Sequence, residues 1–236
     1  MTTKHEPSRR RDLVWYASYG SNLAYQRRFL CYINGGTPVG SEKRNPGCRD
    51  RTPPLDIKPI TLNFELFFAG HFKGWGGAVA FIRRGKANAR TLGRMYLITD
   101  EQFNDVVIQE NNRKVDGTRL VPSLEQLAGK TEHVLPGLKT YGCLLVAGSE
   151  AGHPILTFTA AGRDTPPIGP PSEPYVKVIA AGIKETYPFW EDRQIVEYFL
   201  RADGVKDRIP SDQLAKWVAE SYGYAAETPW QTAISR

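Results

Sequence analysis

Glu110 is the first residue whose placement suggests chemistry. Phe103, Val106 and Val107 stand at i, i+3 and i+4, the spacing of one helix face, and the next place on that stripe, i+7, is an acid. A carboxylate taken out of water has its pKa raised unless cations or donors compensate, which moves it toward the range where it can accept and return a proton at neutral pH. Periodicity alone leaves a second reading open, in which Glu110, near the helix end, simply reaches solvent. The other feature is Tyr19-Gly20-Ser21-Asn22-Leu23, between a strand-like and a helix-like segment. A turn of that kind aims unpaired backbone N–H groups outward, and its glycine lets a ligand approach the main chain, which suits a carboxylate or a developing oxyanion. Its plain alternative is a tight turn with an Asn cap.

Other chemistries find no purchase. The Gly-x-Ser-x-Gly spacing of a nucleophile elbow is absent, and Gly74-Trp75-Gly76-Gly77 lacks the full dinucleotide fingerprint and precedes a strand instead of a helix. Cys31, Cys48 and Cys143 are odd in number and widely spaced, unlike a disulfide framework or a paired-cysteine zinc site. His5, His71, His133 and His153 are scattered with no His-x-x-x-His pair. No metal and no cofactor are expected.

These residues need elements to hold them. Leu13 to Ser18 reads as a strand leading into a helix capped by Asn22 and ending near Asn34, Gly35 and Gly36. Residues 37 to 59, rich in Pro, Gly and charge, read as one long loop, a rim or lid. Leu62 to Phe68, Gly77 to Ile82 and Thr91 to Ile98 alternate as three strands of a meander, and Thr99 with Gln102 forms a capping box for a helix running to about Asn112. Further strands are expected at Thr140 to Val146 and Ile155 to Thr159. Helices follow: one capped by Ser172 with Tyr175, Val178, Ile179, Gly182 and Ile183 on one side, one at Asp192 to Arg201, and a last helical turn from Ser211 with Leu214, Trp217 and Val218 inward.

Composition sets the frame. The chain has 236 residues, 41% apolar and 24% charged, enough for one or two globular domains. With 22 Gly and 17 Pro it should be rich in turns and no helical bundle. The longest apolar runs, such as Cys143 to Ala147, are far short of the roughly 20 residues of a membrane span, and nothing at the start reads as a secretion signal, so a cytoplasmic location is expected. The net charge of +6 sits largely at Lys4, Arg9, Arg10, Arg11, Lys43, Arg44, Arg49 and Arg51. Loop charge without a basic helix face or interleaved aromatics reads as solvated surface and makes nucleic-acid binding unlikely.

Taken in order, the Tyr19–Leu23 turn, the Gly76-Gly77 strand opening, the helical Glu110, and the Pro171-Ser172-x-x-Tyr175 helix start with Gly182 and Glu185 behind it resemble the γ-glutamyl cyclotransferase-like family over roughly residues 13 to 203. The resemblance implies an α+β fold, a small mixed β-barrel flanked by helices. It implies a small-molecule γ-glutamyl amine or amide as substrate, held by Tyr19, Gly20, Ser21, Asn22 and Leu23. It makes Glu110 the acid/base that converts this substrate to 5-oxoproline with release of the amine, without cofactor. On this reading 1–12 is a disordered basic arm, 13–203 the cyclotransferase-like domain and 204–236 a helical extension. Two alternatives stay open: γ-glutamyl deprotection of a larger biosynthetic amine, its pocket shaped by loop 37–59 and by Trp217 and Trp230, or a non-catalytic small-molecule binding module.

Overall fold

Strand β1 (Leu13–Ser18) is apolar along almost its whole length because both of its faces are buried. Trp15 and Ala17 point into one hydrophobic cluster and Val14 and Tyr16 into a second. The computed structural model of the chain describes residues 12–39, 41–85 and 88–221. The expected arm at 1–12, except Asp12, and Trp230 lie outside the described residues.

After β1 come a 3-10 turn (Ser21–Leu23), a π-helical turn (Tyr25–Phe29) and α1 (Leu30–Asn34), where one helix was expected. Irregular chain then leads to β2 (Asp56–Leu62), β3 (Glu65–Phe72), β4 (Gly77–Arg83), β5 (Thr91–Thr99) and α2 (Asp100–Glu110). The short α3 (Leu124–Leu127) and β6 (Glu132–Val134) precede β7 (Cys143–Glu150) and β8 (His153–Thr159). Helices α4 (Glu173–Thr186), α5 (Asp192–Leu200) and α6 (Ser211–Glu220) complete the order. The fold is α+β. No helix among the described residues is long and apolar enough to cross a membrane.

Six strands form one mixed sheet in the order β2-β5-β1-β8-β7-β6, with β1 and β8 its parallel pair, and β3 and β4 form a separate two-stranded ribbon. The expected barrel is therefore not closed by main-chain ladders. At the place where β4 meets β8, a side chain does the joining: Ile82 N–H donates to Thr159 Oγ1 at 3.1 Å, and that hydroxyl donates to Ile82 O at 2.6 Å. The expected meander is also corrected. β3 and β4 pair with each other, whereas β5 crosses to lie between β1 and β2. The outer edge of β3 is covered by the chain before α4, with Gly70 N–H on Pro167 O and Gly169 N–H on Phe68 O.

The first cluster lies between the sheet, the ribbon and α4 to α6, and the second between the sheet's other face and α2. Leu214, Trp217 and Val218 of α6 belong to the first, so the described part of the expected extension shares the core of residues 13–203, and Trp217 packs there. The Thr99–Gln102 capping box forms. Ser172 precedes α4 without making a side-chain cap bond, its hydroxyl being buried without a partner, and Pro210, not Ser211, occupies the cap position of α6.

Thr159→Val removes the hydroxyl that serves both polar groups of the buried Ile82 backbone. A stability loss of about 2–4 kcal/mol is expected, seen as a Tm lowered on the order of 5–15 °C in thermal denaturation, with Thr159→Ser retaining most of the wild-type Tm. A valine variant as stable as wild type would show that the ribbon is held by packing alone.

Candidate active site

β1 ends at Ser18, and the chain turns back over the sheet through Tyr19–Leu23, placing this turn opposite the last residue of α2. Glu110 Oε1 accepts a 2.7 Å hydrogen bond from Asn22 Nδ2, which also lies 3.3 Å from the Tyr16 hydroxyl. Tyr32 of α1 hydrogen-bonds the same carboxylate. Asn22 is thus occupied with the acid and does not cap the turn as expected; Gly20 takes the cap position without any side-chain bond. The carboxamide oxygen Oδ1 of Asn22 is buried and without a hydrogen-bond partner. A buried acceptor left unmatched beside a carboxylate is a place for a ligand N–H donor.

Tyr19, Gly20, Ser21, Asn22 and Glu110 line one small cavity of about 30 Å³, room for a water molecule or two, together with Ser18, Ala80, Tyr141, Phe158 and Tyr175. Leu23 is not among the lining residues. It is fully buried in the first core cluster, directly beneath Gly182 of α4, where a Cβ would also stand 2.6 Å from Ala24 N. Glycine at 182 is what lets α4 lie this close to the turn. Gly20 has a close neighbour of its own. Tyr175 Oη stands 3.2 Å from where its Cβ would be, and that hydroxyl accepts a hydrogen bond from Ala80 N–H at 3.1 Å, with the Ser21 amide a favourable neighbour of its oxygen. With Ala80 N–H on its oxygen, the Tyr175 hydroxyl keeps a proton to donate to a second partner.

Burial pushes the Glu110 carboxyl above the usual carboxylate range, and the positive charge of Arg28 and the bonds from Tyr32 and Asn22 pull it partly back. Burial also raises the hydroxyls of Tyr16, Tyr19, Tyr141 and Tyr175. The tyrosines therefore stay protonated at neutral pH, leaving Glu110 as the lining side chain able to exchange a proton. Glu110 and Tyr141 also line a wider outer cleft of about 370 Å³, whose rim includes Pro38, Ser41 and Lys43 of the loop expected at 37–59. Residues 56–59 of that loop are strand β2.

Sequence reasoning missed Tyr141, Phe158 and Arg28. Tyr175 stood in a quoted motif without an assigned role. Arg28 carried no signal, since Arg27-Arg28 reads as surface charge; the π-helical turn brings it inside, 4% exposed. Among the described residues no group of three or more His, Cys, Asp or Glu side chains is placed to hold a metal ion.

No protein-family model matches the chain. It is similar to histone deacetylase 5 of Arabidopsis thaliana, 38% identical over 187 residues that cover 73% of this chain and 28% of that protein, so the chain spans less than a third of the relative's length. Of solved structures, a gamma-glutamyl cyclotransferase is similar over 89% of this chain and 99% of its own, at 14% identity and a TM-score of 0.47. A yeast gamma-glutamyl cyclotransferase specific to glutathione is similar over 91% and 97%, at 11% identity and a TM-score of 0.33.

A carboxyl whose folded pKa is raised weakens the fold as pH climbs from its unfolded pKa through its folded one. Glu110→Gln removes that penalty. Its Tm should match wild type near pH 4 and exceed it near pH 8 by an amount on the order of 2–5 °C. A variant that instead falls below wild type as pH rises would mean that the ionised carboxylate is net stabilising.

Proposed function

We propose that the chain is a γ-glutamyl cyclotransferase-like enzyme that converts a γ-glutamyl amine or amide to 5-oxoproline, with Glu110 carrying the proton. The observation that carries this reading is the pairing, in one cavity, of a half-buried carboxylate with an unmatched acceptor, Asn22 Oδ1, fixed to it through the same carboxamide. An amine that donates to Oδ1 lies next to the base that deprotonates it.

In the reaction the α-amine of the γ-glutamyl group attacks its own γ-carbonyl. A C–N bond closes the five-membered ring, and the C–N bond to the departing amine breaks. The α-ammonium gives up two protons and the departing nitrogen gains two. Glu110 takes one and returns it to that nitrogen, while the other exchanges with water as the ammonium becomes the free amine. Because nucleophile and carbonyl belong to one molecule, orientation supplies much of the rate, as much as roughly 7–11 kcal/mol of the barrier in the best intramolecular cases. The Tyr175 proton, and the amides of the Tyr19–Leu23 turn not already engaged as Leu23 N–H is with Gly20 O, are the donors for the oxyanion. With its oxygen accepting from Ala80 N–H, Tyr175 is a polarised donor. Substrate reaches the inner cavity from the outer cleft by displacing Tyr141, whose hydroxyl holds Ala80 O through a long 3.4 Å bond.

Incubation of the purified chain with a panel of γ-glutamyl amines and amino acids should release 5-oxoproline, and Glu110→Gln should lower turnover by about 10²–10⁴-fold while the variant keeps its fold by circular dichroism. Turnover of a single large amine would favour the deprotection reading, and tight binding without product a binding module. A Glu110→Gln variant with wild-type turnover removes Glu110 from the mechanism.

A further inference from the structure

Arg28 is a buried cation whose donors are incompletely used. Nη1 donates to Val39 O at 2.8 Å and Nη2 to Ser21 Oγ at 3.4 Å, and the guanidinium lies over the Trp75 ring, 4.6 Å from its centroid. Nε is buried with no hydrogen-bond partner. Leaving a guanidinium donor dry and unmatched is costly, and a planar anion is the group its fork accepts best.

Its surroundings have the same sign. The outer cleft is lined by Arg28, Lys43, Lys73 and Arg113, with Glu110, at the junction with the inner cavity, the one lining carboxylate among the described residues. Lys43 is turned to Asn112 Oδ1 at 2.8 Å, a neutral acceptor that brings no opposing charge. Arg28 is tied through Ser21 to the turn that lines the inner cavity, so whatever it binds sits one step outward from the reacting centre.

We infer that the outer cleft is a subsite for the departing part of the substrate and that Arg28, stacked on Trp75, selects departing groups bearing a carboxylate, that is, amino acids or short peptides with a free acid and not neutral amines. This rests on the reading of the inner cavity given above and names the class of amine it releases. Arg28 is here a specificity-determining residue. Its charge also acts on Glu110, and that influence falls equally on every substrate, whereas recognition by Arg28 separates one substrate from another.

The test compares two probes of equal length, γ-glutamylglycine and its carboxamide γ-glutamylglycinamide. Wild type should favour the acid in kcat/KM by about 10–100-fold. Arg28→Met should erase that ratio by reducing the acid's value, any further loss being common to both probes, and Arg28→Lys should restore part of it. Equal kcat/KM for the two probes in wild type needs no variant to overturn the inference, and so does an Arg28→Met loss that leaves the ratio intact. If neither probe yields 5-oxoproline, the cyclisation reading fails by itself, and the subsite is then judged by calorimetry on Glu110→Gln. Binding of the acid but not the amide, lost with Arg28→Met, upholds it, and equal or absent binding of the two overturns it.

Discussion

A half-buried carboxylate at the end of α2, turned toward the protein interior, is the constraint around which the rest is arranged. An isolated ionised acid in that position would protonate or pull the helix outward, and it stays only where donors are delivered from other elements. Here they come from three places: the Asn22 carboxamide from the turn after β1, Tyr32 from α1, and the more distant charge of Arg28 from the π-helical turn. None of the three is on α2 itself. The path from Ser18 to Asn34, with its change from 3-10 to π to α geometry, is the path that brings all three to one side of Glu110.

That path must itself be fixed, and α4 does so by close approach. Gly182 admits Leu23 and Ala24 where any side chain would intrude, and at the other end of the same helix Gly77 leaves room for Ser172 N, 2.7 Å from where its Cβ would stand. Between them Tyr175 inserts its hydroxyl between the turn and β4. The buried pair Arg94–Glu185, 2.9 Å apart, adds direction: Glu185 Oε2 also accepts from Tyr25 N–H, locking β5, α4 and the start of the π-helical turn to one carboxylate. Buried pairs of this kind give little net stability relative to apolar replacements. Their value here is that three elements cannot slide independently.

Much of this was legible in the residues and some of it was not, for physical reasons. Leu13 to Ser18, the capping box at Thr99 and the apolar stripe of Phe103, Val106 and Val107 are local signals, and the elements they mark are present. Glu110 could be singled out because an acid on an apolar stripe is a local anomaly. The other side of α2 misleads. Gln102, Asp105 and Gln109 look like a solvent face, yet all are buried, since the irregular chain before β2 covers them: Arg49 makes a multiple bond to Asp105, Gln102 Nε2 reaches Thr52 O, and Gly47 N–H donates to Gln109 Oε1. No periodicity announces a loop that supplies partners to a helix 50 residues later. Strand order is nonlocal in the same way. Three successive strands suggest a meander, but β5 leaves its neighbour because β1 offers it a full antiparallel ladder from Leu13–Thr99 to Ser18–Arg94.

The same loop explains how a rigid centre and an open rim coexist. The inner cavity stands on stacked rings, Tyr16 against Phe158 at 5.5 Å and Phe29 against Tyr96 at 3.9 Å, packed between sheet and α2, where small displacements meet dense packing on every side. The outer cleft takes part of its rim, at Pro38, Ser41, Lys43 and Pro46, from chain without regular structure, which would ordinarily drift relative to such a centre. It does not, because the loop's anchors, Asp105, Gln102 and Gln109, sit on the helix that ends in Glu110. Rim and acid therefore share one reference element, so the rim side chains can differ without moving the carboxylate.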